Sequence, residues 1–146
     1  MNKSVQTISI AGLVTTMAFA AFSIVQLDGT AANQVTGDFR NAAMAEVRDA
    51  QGQTLLRGTF AVAESDDAGE VERVAKLEGA NTSVTATGEA EVEYESDSPT
   101  VQEVELTVTG MTAGTEVTFV IDGAVVTTAK ADNRGRVNVE IAVKGQ

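Results

Sequence analysis

The 146-residue chain contains no cysteine and no histidine. Without cysteine it cannot form disulfides, thiolate metal sites or a thiol nucleophile, and no cysteine is present to carry a lipid anchor. Without histidine it lacks the commonest general base, the usual zinc and copper ligand, and every catalytic arrangement in which histidine activates a serine or a cysteine. These absences remove most of the familiar routes to enzymatic catalysis.

Aromatic and basic residues are also scarce. There is no tryptophan and only one tyrosine, so the chain has few side chains on which a sugar or a base could stack. Lysine and arginine number 10 against 21 acidic residues, which gives a net charge of −11. Such a surface repels phosphate backbones and attracts cations or a basic partner, so we expect no nucleic-acid partner.

The start of the chain has the form of an export segment. Lys3 precedes an uncharged stretch at residues 4–27, in which apolar residues dominate. A basic start and an apolar run are typical of a secretory signal, and the small residues around Phe19 provide a cleavage pattern. An uncleaved membrane anchor is the alternative, because about 20 apolar residues span a bilayer. A buried core helix is disfavoured because no later segment appears helical enough to pack against it.

The export segment predicts where the folded domain begins and in which compartment it is located. We expect residues 1–26 to be a signal peptide or signal anchor, residues 27–42 a linker, and residues 43–146 the folded domain. Both interpretations place this domain outside the cytoplasm, in the periplasm, at the cell surface or in the medium. Membrane contact is expected only through residues 4–27, if they are not cleaved.

From residue 43 onward apolar and polar residues alternate with period two, which is the pattern of β-strands. Strands are predicted at 43–49, 54–62, 71–78, 82–87, 89–95, 101–109, 115–121, 124–130 and 136–143. The residues expected to face inward are Val47, Leu56, Phe60, Leu77, Val92, Tyr94, Val104, Leu106 and Val108. Two antiparallel sheets closing over these side chains make an all-β sandwich of about 7–9 short strands, with a small barrel as the alternative.

The last part of the domain predicts a specific register. Asp-Gly at 122–123 is typical of a type I′ hairpin turn, which would place Phe119 opposite Val126. A second turn at 132–135 would then return the chain so that Val126 faces Ile141. Since both turns keep the same inward face, they predict a three-stranded meander.

Residues 104–123 and 131–139 combine a strand, a Gly-hydrophobic-x-x-Gly turn, a hairpin and an Asp-x-x-Gly turn before the last strand. This arrangement resembles bacterial exported immunoglobulin-like and transthyretin-like modules. The resemblance implies a β-sandwich with a role in adhesion, envelope architecture or accessory binding, and without an active site. The same stretch is similar to extracellular domains related to copper-zinc superoxide dismutase, but the chain lacks the histidines of such a metal site.

A ladder of acidic residues is the sharpest local feature. Glutamates alternate at 89, 91, 93 and 95, and a hairpin with the following strand would place Glu93 opposite Glu103 and Glu91 opposite Glu105. These four residues form a candidate divalent-cation site, with Ca²⁺ as the expected ion because it prefers carboxylate oxygens. The alternatives are a solvated acidic face or an adaptation to salty surroundings. In the solvated face, Lys76, Arg57 or Lys130 would relieve the repulsion.

The function expected from these observations is that of an exported, non-enzymatic β-sandwich module with a binding, structural or adhesive role. Its partner would be a protein or an envelope component. No catalytic or cofactor-binding residue is predicted, and Ca²⁺ is the one candidate ion. Divalent-cation binding by the acidic face is the first alternative, and a hydrolase that uses paired carboxylates is the second.

Overall fold

A computed structural model describes residues 35–65, 69–97 and 101–144 of the chain. The predicted export segment at 1–26 and the first part of the predicted linker lie outside the described residues. Among the residues that the structure covers, no helix is long and apolar enough to cross a membrane.

The described chain is all-β, as the alternating pattern predicts, and its strands pair antiparallel. The strands are β1 (Met44–Arg48), β2 (Thr54–Thr59), β3 (Ala61–Ser65), β4 (Glu70–Gly79), β5 (Thr87–Glu95), β6 (Val101–Thr109), β7 (Glu116–Ile121), β8 (Ala124–Lys130) and β9 (Val137–Lys144).

The strands form one nearly closed sheet in the order β8-β7-β1-β2-β4-β5-β6-β9, and β3 pairs with β4. We call β4, β5, β6 and β9 half A, and β8, β7, β1 and β2 half B. β4 joins the halves, because its last residues pair with β2 while its first residues pair with β3. β8 and β9 end the path, and no ladder is formed between them among the described strands.

Two predicted strands differ from the observed ones for local reasons. The predicted strand 54–62 divides at Phe60, whose ring enters the core and whose N–H donates to the Ala43 carbonyl over 3.0 Å. Because of this break, the chain pairs with β1 before Phe60 and with β4 after it. The predicted strand at 82–87 is wrong, because the Asn81 side chain accepts a hydrogen bond from the Ser83 N–H and holds a turn there.

The hairpin between β7 and β8 has the predicted turn but a different register. Ile121 pairs with Ala124, and Asp122 and Gly123 have φ angles of 47° and 84°, as a type I′ turn requires. A β-bulge then shifts the ladder, so that Phe119 faces Thr127. The predicted pairing of Phe119 with Val126 is therefore wrong, since one extra residue has been inserted in β8.

The predicted meander is also wrong, because β9 pairs with β6 and not with β8. The turn at 132–135 exists, but its Gly135 carbonyl accepts a hydrogen bond from Met111 N–H, in the connection between β6 and β7. This contact places the chain that follows the turn on half A, so that it leaves half B after β8. A Cβ at Gly135 would lie 2.0 Å from the Met111 carbonyl oxygen, so glycine is needed for this close approach.

The inward faces of both halves share one hydrophobic core. All the residues predicted to face inward are buried except Tyr94, which is half-buried and packs against the core. Phe119 is buried as well, while Val139 and Ile141 are half-buried near the gap between β8 and β9. The core is aliphatic, and period-two alternation identifies its members because each strand buries one side.

Residues 35–42, which lie within the predicted linker, pack against the strands. Phe39 is 6 % exposed and Ala42 is 1 % exposed, and both belong to the core. We call residues 35–42 the strap.

Candidate functional site

The outward side of half A carries glutamates from all four of its strands. We call this surface the carboxylate face, and it consists of Glu70, Glu72, Glu89, Glu91, Glu93, Glu95, Glu103, Glu105 and Glu140. Strand alternation places these side chains on one side, because the residues between them point into the core.

The register of the ladders sets the carboxylates directly opposite each other. Glu72 pairs with Glu93, which pairs with Glu103 on the next strand. A second row runs through Glu91 on β5, Glu105 on β6 and a glutamate of β9. The predicted hairpin register of β5 and β6 is therefore confirmed, and like charges lie within a few ångströms over several strands.

Glu91 and Glu93 of the predicted cation site lie beside a glutamate that the sequence analysis missed. One carboxylate oxygen from each of Glu72, Glu91 and Glu93 lies within 4.8 Å of the other two. All three side chains are half-buried. The alternation of Glu70 and Glu72 along β4 was the available signal, but their register with β5 is set by the tertiary fold.

The other two predicted residues, Glu103 and Glu105, meet β9 instead. Glu103 forms a side-chain hydrogen bond with Glu140, and Glu105 pairs with Glu140 in the β6–β9 ladder. Glu140 was missed because the sequence predicted β9 beside β8. The four predicted residues thus share one face but divide between two carboxyl clusters.

Glu91 has the most strongly altered titration on this face. Burial is the largest cause, and a hydrogen bond with the Glu93 carboxyl and repulsion from Glu72, Glu93 and Glu105 act in the same direction. Together they raise the pKa of Glu91 to about 7. Glu91 therefore holds a proton near neutral pH, and its carboxyl group can donate to the neighbouring Glu93.

In the second cluster, the pKa of Glu103 is raised by causes of the same kind. Burial first, then a hydrogen bond with Glu140 and repulsion from Glu140, Glu93 and Glu105, raise the pKa of Glu103. The Glu103 carboxyl group therefore takes up a proton at a higher pH than an isolated glutamate would.

Among the described residues, Lys76 on β4 and Lys144 on β9 lie on the same outward side as the carboxylate face. Lys76 forms an ion pair with Glu89 at its border. Arg57 and Lys130, which the sequence also suggested as relief, face outward on half B. Arg57 lies opposite Glu46 and also opposite Glu78 of β4, and Lys130 lies opposite Glu116. The described outward side of half B carries both signs of charge, whereas the face of half A is dominated by carboxylates.

A shallow depression lies in the middle of the carboxylate face. It is lined by Glu89, Glu91, Glu105 and Thr107, and its volume is about 60 Å³. Pockets that enclose organic ligands usually measure roughly 300–1,000 Å³. The raised pKa of Glu91 is of the kind that a general acid needs, but this depression is too small to enclose a sugar ring.

The Glu72, Glu91 and Glu93 oxygens are spaced so that a divalent cation between them is geometrically allowed. Ca²⁺ takes 6–8 oxygen ligands at roughly 2.3–2.6 Å, so three carboxylates would supply part of a shell that water completes. An ion there would also displace the shared proton, because the site would need all three groups ionised.

Comparisons of this chain with protein-family models, with curated proteins and with solved structures found no significant match.

Proposed function

We propose that the chain is an exported, non-enzymatic β-sandwich module that binds a positively charged partner through its carboxylate face. The sandwich arrangement is supported by two sheet halves that cover one core. Export is supported by the uncharged apolar segment that follows Lys3. A protein or envelope component with a basic surface is the partner whose chemistry complements this face.

The observation that carries the proposal is the pair of carboxylate rows, each opposed across three strands and together covering the four neighbouring strands of half A. Directly opposite like charges destabilise a sheet by a few tenths to about 1 kcal/mol per pair. A basic surface that docks on the face neutralises these charges, so the relief of their repulsion contributes to the free energy of binding. An equal number of scattered carboxylates would not give this gain.

The proton that Glu91 holds near neutral pH makes the proposed binding dependent on pH. Glu91 carries a proton up to about pH 7, and a cationic partner favours its ionised form. Docking would therefore release a proton near neutral pH, and the affinity would rise as the pH increases through about 7.

Isothermal titration of the full chain with a deca-lysine peptide at low ionic strength tests the proposal. The variant E93Q/E103Q removes two carboxylates from the face, and E46Q/E116Q removes two from the outward side of half B. We expect Kd to rise about fivefold or more in the first variant and less than about twofold in the second. Equal losses in both variants would show that only net charge matters and would contradict the proposal.

Divalent-cation binding is the second candidate function, favoured by the convergence of Glu72, Glu91 and Glu93. It is distinguished by melting the chain in CaCl₂ and in NaCl of equal ionic strength. The first proposal expects no additional stabilisation by Ca²⁺ beyond that of the salt. A saturable increase in Tm at millimolar or lower Ca²⁺, lost in E91Q, would establish the second function instead.

A further inference from the structure

The strap is attached to the domain by a side chain that recognises its backbone. Gln102 on β6 is 1 % exposed and lies between Tyr94 and Val143 in the ladders. Its Oε1 accepts a hydrogen bond from Phe39 N–H at 2.7 Å, and its Nε2 donates to the Gly37 carbonyl at 3.3 Å. One buried amide thus satisfies a carbonyl and an N–H two residues apart, as a neighbouring strand would do.

We call the surface beside Gln102 on which the strap lies the groove. The same contacts define which sequence fits it. The Phe39 ring is buried in the core, and a Cβ placed on Gly37 would lie 3.0 Å from the ring carbon Cζ. Glycine at this position is therefore favoured by the ring that folds over it. Asp38, between them, is exposed and pairs with Arg40. The groove therefore selects a Gly-x-Phe segment whose middle side chain is exposed.

The strap lies outside the ladders of the sheet, and its Ala42 carbonyl accepts a hydrogen bond from the Arg73 side chain over 2.9 Å. The strap's one bridge to the sheet is a parallel pairing of Thr36 with Lys144 at the end of β9, so in the described structure it belongs to no ladder. The start of β1 is held independently, because the Asp122 carboxylate accepts hydrogen bonds from Ala43 N–H and Met44 N–H. β1 can therefore stay in place when the strap leaves the groove.

We propose that this groove is a peptide-binding site that also accepts the strap of a second copy, which gives exchange of straps between neighbouring chains. A second copy carries the same strap sequence, so its strap fits the groove. Exchange of an identical element between copies is a low-cost route to oligomers. The inference is independent of the carboxylate face, which the groove does not use.

The concentration of the chain determines whether each strap stays in its own groove or exchanges with that of a second copy. A tethered strap competes at an effective concentration of roughly millimolar, so single chains keep their own straps in dilute solution. Exchange becomes substantial where copies are crowded. Because the same contacts form in both arrangements, the exchange equilibrium depends on crowding more than on any change in the groove.

The absence of cysteine makes a disulfide test unambiguous. Full chains carrying Thr36→Cys are mixed with full chains carrying Lys144→Cys and oxidised at rising concentration. These positions are bridge partners, and bridge partners lie within the usual Cα separation for a disulfide. We expect a cross-linked heterodimer whose yield rises with concentration and falls at least about fivefold when excess peptide of residues 35–42 is added.

Two variants separate strap exchange from chance collision. Gln102→Ala in the Lys144→Cys chain should lower the yield several-fold, while Val125→Cys in place of Thr36→Cys should give background yield. The double variant T36C/K144C, oxidised when dilute, shows whether the pair closes within one chain and confirms that the fold is intact. If the double variant closes but the mixture gives no heterodimer, or if neither the peptide nor Gln102→Ala changes the yield, the proposal is wrong.

Discussion

At the scale of single residues, the pKa of Glu91 is set by its burial and by the neighbouring carboxylates, which its position in the sequence does not reveal. Its pKa is raised from 4.5 to about 7, so the folded chain binds more protons than the unfolded chain between these values. Stability from this group is fully present below about pH 4.5 and is lost as the pH rises through about 7. Glu103 acts in the same direction.

We therefore expect the chain to be more stable at about pH 5 than at about pH 8, as measured by urea denaturation. Glu91→Gln should raise the stability at about pH 8 by roughly 1 kcal/mol, since it removes a crowded charge that solvent partly screens, and should flatten the pH dependence. Glu116→Gln on half B is the control for the loss of one carboxylate outside the carboxylate face, and it should not reproduce the gain of Glu91→Gln at about pH 8. A stability that rises from pH 5 to pH 8 in the wild-type chain would contradict this assignment.

The opposite shift acts at lower pH. A hydrogen bond with the Arg40 side chain lowers the pKa of Asp38 from 3.8 to about 2, despite a smaller opposing effect of burial. Stability from Asp38 is therefore present above about pH 4 and is lost as the pH falls towards 2. For these two groups alone, the combined contribution to stability is greatest between their ordinary pKa values of 3.8 and 4.5.

Gly135 is the residue whose substitution should be most damaging among the turn glycines. It has a φ of 72°, and an added Cβ would meet the Met111 carbonyl oxygen at 2.0 Å. Gly135→Ala should lower the free energy of unfolding by about 3 kcal/mol or more. Gly114→Ala is the matched control, because Gly114 has a φ of 78° and open space around it, and should cost only about 1–2 kcal/mol. Similar losses in both would contradict the close approach at Gly135.

At the scale of elements, the start of β1 depends on one side chain in a distant turn. Asp122 occupies the left-handed region of the β7–β8 turn and holds two backbone N–H groups at the start of β1. The turn thus couples the hairpin to the strand beside it, and it fixes the point where the strap ends.

Asp122→Ala should therefore lower the free energy of unfolding by about 2 kcal/mol, because it removes charge-assisted hydrogen bonds and leaves a residue that disfavours positive φ. Asp122→Asn keeps an acceptor oxygen and tolerates positive φ, so it should lose less than half as much. Urea denaturation of both variants measures the difference. An alanine variant as stable as the asparagine variant would show that the carboxylate does not hold β1.

Strands could be predicted from the sequence wherever alternation and turn chemistry agree, but their neighbours could not always be. The β5–β6 register follows from local alternation across a short connection, which is why Glu93 meets Glu103 as predicted. β9 has inward residues that fit either β8 or β6, so its pattern alone does not choose between them. The hydrogen bond between Met111 N–H and the Gly135 carbonyl makes that choice, and it is a long-range contact without a sequence signature.

The same limit applies to the candidate site. Glu91, Glu93, Glu103 and Glu105 could be placed on one face because they lie on a single hairpin. Glu72 and Glu140 join them only through pairing with β4 and β9. The strap was also missed, since the polar character of its sequence conceals the burial of Phe39.

At the scale of the whole molecule, charge is distributed unevenly between the two outward surfaces. Half A presents opposed carboxylates with little relief, while half B mixes Arg48, Arg57 and Lys130 with glutamates. The net charge of −11 attracts a basic partner at long range, and the uneven distribution orients that partner as it approaches. A basic partner would therefore be steered towards half A before contact, and more strongly at low ionic strength.

The most direct test of the account is to follow the Glu91 side-chain carboxyl by NMR during a pH titration, with and without deca-lysine. We expect an apparent pKa of about 7 for the free chain, and a lower value when the peptide is bound, because the cations favour the ionised form. An apparent pKa near the ordinary value of 4.5 that the peptide leaves unchanged would contradict both the crowding of the carboxylates and their role in binding.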